Sequence, residues 1–121
     1  MRTTVLALLV ALAPSAMACG YCVEDKIAAV YDYAAVTQAA AQKHAVAYFA
    51  IDGTIRDPAS SLKTMIERTR GVEKGSARIA VEARALAVTF DPRRTPLAAI
   101  QSALEKVLKP RGLTLLLLDT K

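Results

Sequence analysis

Apolar positions change their spacing several times along the chain, and each change predicts an element. Residues 23–43 hold neither Gly nor Pro, and Val23, Ile27, Val30, Tyr31 and Ala34 recur at helical intervals, so the segment is predicted as one helix. Glu24 and Asp25 fall in its first turn, where the positive end of the helix dipole favours acids. Residues 46–51 form a short run with β-branched and aromatic members, closed by Asp52 and Gly53, which predicts a buried strand. Pro58 opens a second helix whose Leu62, Met65, Ile66 and Thr69 keep helical spacing until Gly71. Ile79, Val81 and Ala83, then Leu86, Val88 and Phe90, alternate with their neighbours as two half-buried strands joined by a tight hairpin near Ala83 and Arg84. Thr95 precedes Pro96 as a cap precedes a first helical residue, and Leu97, Ile100, Leu104 and Val107 or Leu108 continue that helix. After Pro110, Arg111 and Gly112, residues 113–118 are a last strand, apolar on both faces.

Residues 44–121 thus read strand, helix, strand, strand, helix, strand. That order builds an α+β, ferredoxin-like layer: a four-stranded antiparallel sheet with both helices on one face. Ala80, Ala85 and Ala87 face away from those helices, where a bare sheet of this kind keeps polar residues. The expectation is a third layer, the N-terminal helix packed on the sheet's other face; a dimer burying the same alanines is the alternative.

The first residues carry a different signal. Residues 1–18 contain one base, Arg2, no acid and an apolar run over 5–13, with Ala16, Met17 and Ala18 as a cleavage site, which is the pattern of a secretory leader. Its apolar run is too short to span a bilayer, and Pro14 closes it. Three segments follow: a leader over 1–18, a Cys-x-x-Cys segment and helix over 19–43, and the βαββαβ unit over 44–121. The whole chain of 121 residues carries a net charge of +5, and loss of Arg2 lowers it to +4. Such a charge, dispersed and without an aromatic platform, gives no reason to expect nucleic acid. A Gly-rich phosphate loop, a Ser/His/Asp set and an evident carboxylate pair are all lacking, so an enzyme is not expected.

Gly53 after the first strand, Gly71 and Val72 after the following helix, Val88 to Pro92 with Thr95, and the helix with Ile100 and Leu104 resemble the heavy-metal-associated (HMA) domain. This is the small fold of copper chaperones, metal-pumping ATPase extensions and the periplasmic mercuric-ion-binding protein. The resemblance implies metal handling and a partner that donates or accepts the ion. It also implies a Gly-Met-x-Cys-x-x-Cys loop opening at Gly53. Residues 53–60 read Gly-Thr-Ile-Arg-Asp-Pro-Ala-Ser and contain no cysteine, so those ligands do not carry over.

The two cysteines are instead Cys19 and Cys22, directly before the N-terminal helix. A helix of 21 residues spans about 32 Å and a nine-residue strand about 30 Å, so an antiparallel return would bring the pair back toward the 53–60 loop. Two thiols at this spacing can chelate an ion, form a disulfide or exchange electrons, helped by the helix N-terminus. Lys109 and Arg111 are expected near the same end. The metal-ligand assignment is Cys19 and Cys22, with a soft ion, Cu(I) before Zn(II) or Hg(II), because two sulfurs suffice for Cu(I) and a tetrahedral zinc site needs two further donors. A thiol–disulfide redox protein is the first rival, although a thioredoxin-like site needs a strand before its motif. Cleavage before Cys19 also fits lipoprotein processing, which would use that sulfur as a membrane anchor and leave an HMA-like module that binds a protein partner. The setting is exported in either case, periplasmic or on a membrane surface. His44 is expected as a surface or capping residue, Met65 as core, and Tyr21 as a shield for the sulfurs or an exposed filler.

Overall fold

A computed structural model describes residues 22–121, so the leader, Cys19 and Tyr21 lie outside the described residues. Its elements are α1 (Val23–Val30), α2 (Tyr33–Ala41), β1 (Ala45–Asp52), α3 (Ala59–Glu67), β2 (Arg78–Ala80), β3 (Ala85–Phe90), α4 (Leu97–Leu108) and β4 (Thr114–Thr120), with a 3-10 turn at Lys109–Arg111. The sheet runs β2-β3-β1-β4, and β1 pairs antiparallel with both β3 and β4. The expected ferredoxin-like α+β layer is therefore present, with every strand and both of its helices in the expected order.

Alternation along the two central strands explains the two cores. Ala47, Phe49 and Ile51 of β1, with Leu86, Val88 and Phe90 of β3, meet Leu62 and Ile66 of α3 and Ile100, Leu104 and Leu108 of α4. The other face presents Val46, Tyr48, Ala85 and Ala87, and packs against Val30 of α1 and Ala39 of α2, with Ile27 and Val36 partly buried there. Small side chains on this face let the helices approach closely. The covering layer is supplied within the chain, as the alanine pattern requires.

The covering layer is not a single helix. The predicted helix over 23–43 breaks at Tyr31 and Asp32 into α1 and α2. Asp32 adopts an extended conformation and its Oδ1 accepts from the Ala35 N–H at 3.1 Å, capping α2, while its other oxygen pairs with Arg78 of β2. An ion pair to the sheet edge and a new cap thus override the high helix propensity of the alanines. Two boundaries also differ: Pro58 and Pro96 are the extended cap residues of α3 and α4 rather than their first helical residues. The second strand stops at Ala80, and Val81 to Arg84 form the turn, with Arg84 at φ +53° and its N–H donating to Val81 O at 3.2 Å.

Candidate metal centre

Cys22 is the cap residue of α1, with φ −79° and ψ 173°, and its carbonyl accepts the helix's first bond from the Lys26 N–H at 3.0 Å. Its side chain makes no cap bond and is exposed. The thiol donates to Asp25 Oδ2 at 3.2 Å, one turn further along the helix. Lys26 fixes this first turn to the sheet: its ammonium donates to the Ala83 carbonyl at 2.6 Å, with the Arg84 carbonyl at 3.5 Å.

The Lys26 contact locates Cys22 in the fold. Ala83 and Arg84 belong to the turn between β2 and β3, and the Ile51 N–H donates to Arg84 O at 2.9 Å. The start of α1 therefore stands over the end of the sheet where β1 finishes and residues 53–58 begin. Because α1 and α3 cover opposite faces, Cys22 and the loop leading into α3 leave that end on opposite sides of the sheet. The antiparallel return expected for one 21-residue helix is thus made by the eight residues of α1.

Residues 53–58 have a separate structural role. Gly53 adopts φ +110°, and a Cβ there would lie 2.3 Å from the Gly112 carbonyl oxygen, so the close approach of the two turns needs glycine. Arg111, expected beside the cysteines, is paired with Asp57 at 2.8 Å. Its charge ties this loop to the turn before β4.

His44 sits at the opposite end of β1 from Cys22, so it is not a ligand partner of that thiol. Its Nδ1 lies 3.6 Å from Glu73 Oε2 and its Nε2 3.7 Å from Asp91 Oδ2, and its N–H closes α2 on Ala39 O at 2.8 Å. Hydrogen bonds from the Arg93 side chain and backbone, with the nearby positive charges, hold the Asp91 carboxyl below its ordinary range. Met65 packs against the core of α3 and α4. Among the described residues, no three His, Cys, Asp or Glu side chains group as metal ligands. Cys22 is thus one half of the expected pair, with Cys19 outside the described residues. Asp25, a dipole partner by its place in the first turn, also meets the thiol, and the Cys-x-x-Asp spacing is the sequence signal of that contact.

No helix among the described residues is long and apolar enough to cross a membrane. No family profile matches the chain, and neither does any curated protein. Solved structures do match. A copper binding domain from HMA7, a P-type ATPase, superposes with a TM-score of 0.50 at 20% identity, over 64% of this chain and 97% of its own. The N-terminal domain of a potential copper-translocating P-type ATPase from Bacillus subtilis, in its Cu(I)-loaded state, gives 0.49 at 20% identity over 64% and 91%. Oxidized MerP from Ralstonia metallidurans gives 0.48 at 20% identity over 61% and 96%. The first of these matches gives the unit from β1 to β4 the HMA-like fold.

Proposed function

We propose that this protein is an exported, non-enzymatic carrier of a soft metal ion, held by the thiols of Cys19 and Cys22 and passed to sulfurs of a partner protein. The observation that carries this reading is the place of Cys22: exposed, at the N-terminus of α1, fixed by Lys26 over the sheet end from which residues 53–58 depart. The shared fold supports it, since one protein of that fold is a copper binding domain. In this reading the ligands have moved from the loop after β1 to an added helix on the other side of the same sheet end.

The chemistry is ligand exchange. An ion bound by two thiolates has room for an incoming sulfur, and transfer runs through an intermediate shared by both proteins. Binding at Cys22 requires its Sγ to give up the hydrogen bond to Asp25. The domain division proposed is a leader over 1–18, the ligand segment and covering helices over 19–43, and the HMA-like unit over 44–121. A second reading rests on Ser15-Ala16-Met17-Ala18 before Cys19, in which the small residues Ser15, Ala16 and Ala18 suit lipoprotein processing and would make the chain a membrane-anchored interaction module.

Intact mass of the mature protein from its own host, followed by Cu(I) titration, tests both. A free amino terminus at Cys19, two free thiols and one Cu(I) per chain support the carrier. An acyl mass on Cys19 supports the anchor and removes the chelate. A Cys19–Cys22 disulfide that turns over on a thiol substrate supports redox exchange instead.

A further inference from the structure

The fold gathers at one end the charge that the sequence spreads out. Residues 42–45, 68–74, 91–95 and 119–121 close the end of the sheet remote from Cys22, and they touch one another there. Arg93 reaches the Gln42 carbonyl at 3.4 Å, Val72 bridges to Phe90, and a Cβ on Gly71 would lie 3.0 Å from the Thr95 methyl. The Lys121 N–H donates to Val46 O at 2.8 Å, which brings the end of β4 to the start of β1. These segments carry seven bases against three acids, a net +4 with His44 neutral. The other eight bases and eight acids of the described residues cancel. The whole excess of the described residues therefore sits on one end.

All seven bases are exposed. The acids are already engaged: Glu73 and Asp91 flank His44, Asp91 also meets Arg93 and Arg94, and Asp119 meets Lys121 at 3.8 Å. Lys43, Arg68, Arg70 and Lys74 enter no ion pair among the described residues. The last three border one shallow depression. Like charges held on one surface repel, and an outside counter-charge relieves that cost, so a single sign over the whole end selects a polyanion.

We infer that this end docks on a membrane surface that bears anionic phospholipids. What the end lacks narrows the polyanion to that one. The large exposed apolar side chains among the described residues, Val23, Tyr31, Tyr33, Val81 and Leu116, all lie elsewhere. A protein interface draws most of its energy from buried aromatic and apolar anchors, and a single-stranded nucleic acid stacks its bases on aromatic rings. A bilayer surface needs neither, because each Lys or Arg brought to it gains attraction without a matching pocket. Docking also sets an orientation. The eight residues of β1 span about 26 Å, so Cys22 would stand about that far from the headgroups, facing the water. The inference goes beyond the metal-carrier reading and does not rest on it.

Co-sedimentation with vesicles tests the inference, using the chain from Cys19 onward produced in the cytosol, where no acyl group is added. Binding is expected to equimolar phosphatidylcholine–phosphatidylglycerol vesicles and not to phosphatidylcholine alone, and it should weaken as salt is added. The triple variant Arg68→Gln, Arg70→Gln, Lys74→Gln removes three exposed bases that hold no internal partner, so the fold should persist by circular dichroism. Its affinity should fall by about tenfold or more. Arg56→Gln, Arg84→Gln, Lys109→Gln removes the same charge from the Cys22 end and should change affinity by less than about threefold, because distant charges are screened. With a paramagnetic lipid in the vesicles, amide broadening of the 15N-labelled protein should centre on 68–74 and 92–95. No binding to the anionic vesicles, equal binding to phosphatidylcholine, equal losses in the two triple variants, or broadening centred on α1 would each overturn the inference. Tighter binding of a duplex oligonucleotide or of polyglutamate would assign the end to another partner and overturn it as well.

Discussion

The Lys26 ammonium donates to the Ala83 carbonyl at 2.6 Å, across 57 positions of sequence, and this contact ties the cysteine-bearing end of α1 to the β2–β3 turn, beside the packing of Ile27 and Val30. The partner is a carbonyl of a turn residue that is itself 3% exposed, so the bond is partly shielded from water. Replacing Lys26 by Met keeps the aliphatic stem and removes the donor. The expected cost is about 1 kcal/mol in urea unfolding, as for one partly exposed bond to a charged group. Amide exchange should accelerate in α1 and remain unchanged in α4; an unchanged α1 would show that packing of Ile27 and Val30 alone holds the helix.

Gly53 and Gly112 face each other across the sheet end that carries the proposed site, and they differ in what a side chain would meet. At Gly53 a Cβ would lie 2.3 Å from backbone oxygen at φ +110°, whereas at Gly112, with φ +72°, it meets nothing within 4 Å. Gly112→Ala is expected to cost about 1 kcal/mol, the left-handed backbone penalty alone. Gly53→Ala adds a backbone clash and is expected to exceed it by about 2 kcal/mol or more. Paired thermal melts check the order.

Tyr48 is buried with no partner for its hydroxyl. Burial, followed by the nearby Tyr31, Asp119 and Asp32, raises its pKa above the ordinary value near 10. A raised acid pKa means that the folded state keeps the proton longer, so stability is intact below pH 10 and declines as pH rises beyond it. Tyr48→Phe is expected to leave stability at pH 7 unchanged or raise it by about 1 kcal/mol, because no bond is lost. The same variant should flatten the alkaline decline in denaturation midpoints measured across that range.

Asp91 has the opposite sign. Its lowered pKa contributes stability that is complete above the ordinary carboxyl value of 3.8 and is lost as pH falls through the folded value. Asp91→Asn is expected to reduce the acid dependence below pH 4 and to release the Arg93 side chain, which in the wild type also reaches Gln42 O at 3.4 Å. Unfolding midpoints between about pH 2 and 5 check this, because the window follows the carboxyl titration.

The strands were legible because alternation assigns each residue to a face, and Phe49, Leu86 and Val88 could face only one core. The second core was legible as alanines where polar residues would otherwise stand. The break at Tyr31 and Asp32 was not, because it depends on Arg78, 46 positions away, and no helical period encodes that pairing. The cysteine spacing raised the expectation of a thiol site, but where Cys22 stands depends on Lys26 and the β2–β3 turn, which meet only in the folded chain. The displacement of Leu118, where the β1–β4 register shifts between Tyr48 and Phe49, likewise had no local signature.

The central claim, that Cys19 and Cys22 form a transferable soft-metal site, is tested most directly by Cu(I) competition against a chromogenic chelator. The mature protein should withdraw one Cu(I) per chain, and Cys22→Ser should lose that binding while keeping the native fold by circular dichroism. Retention of the full stoichiometry and affinity in Cys22→Ser, or no withdrawal by the fully reduced wild type, would contradict it.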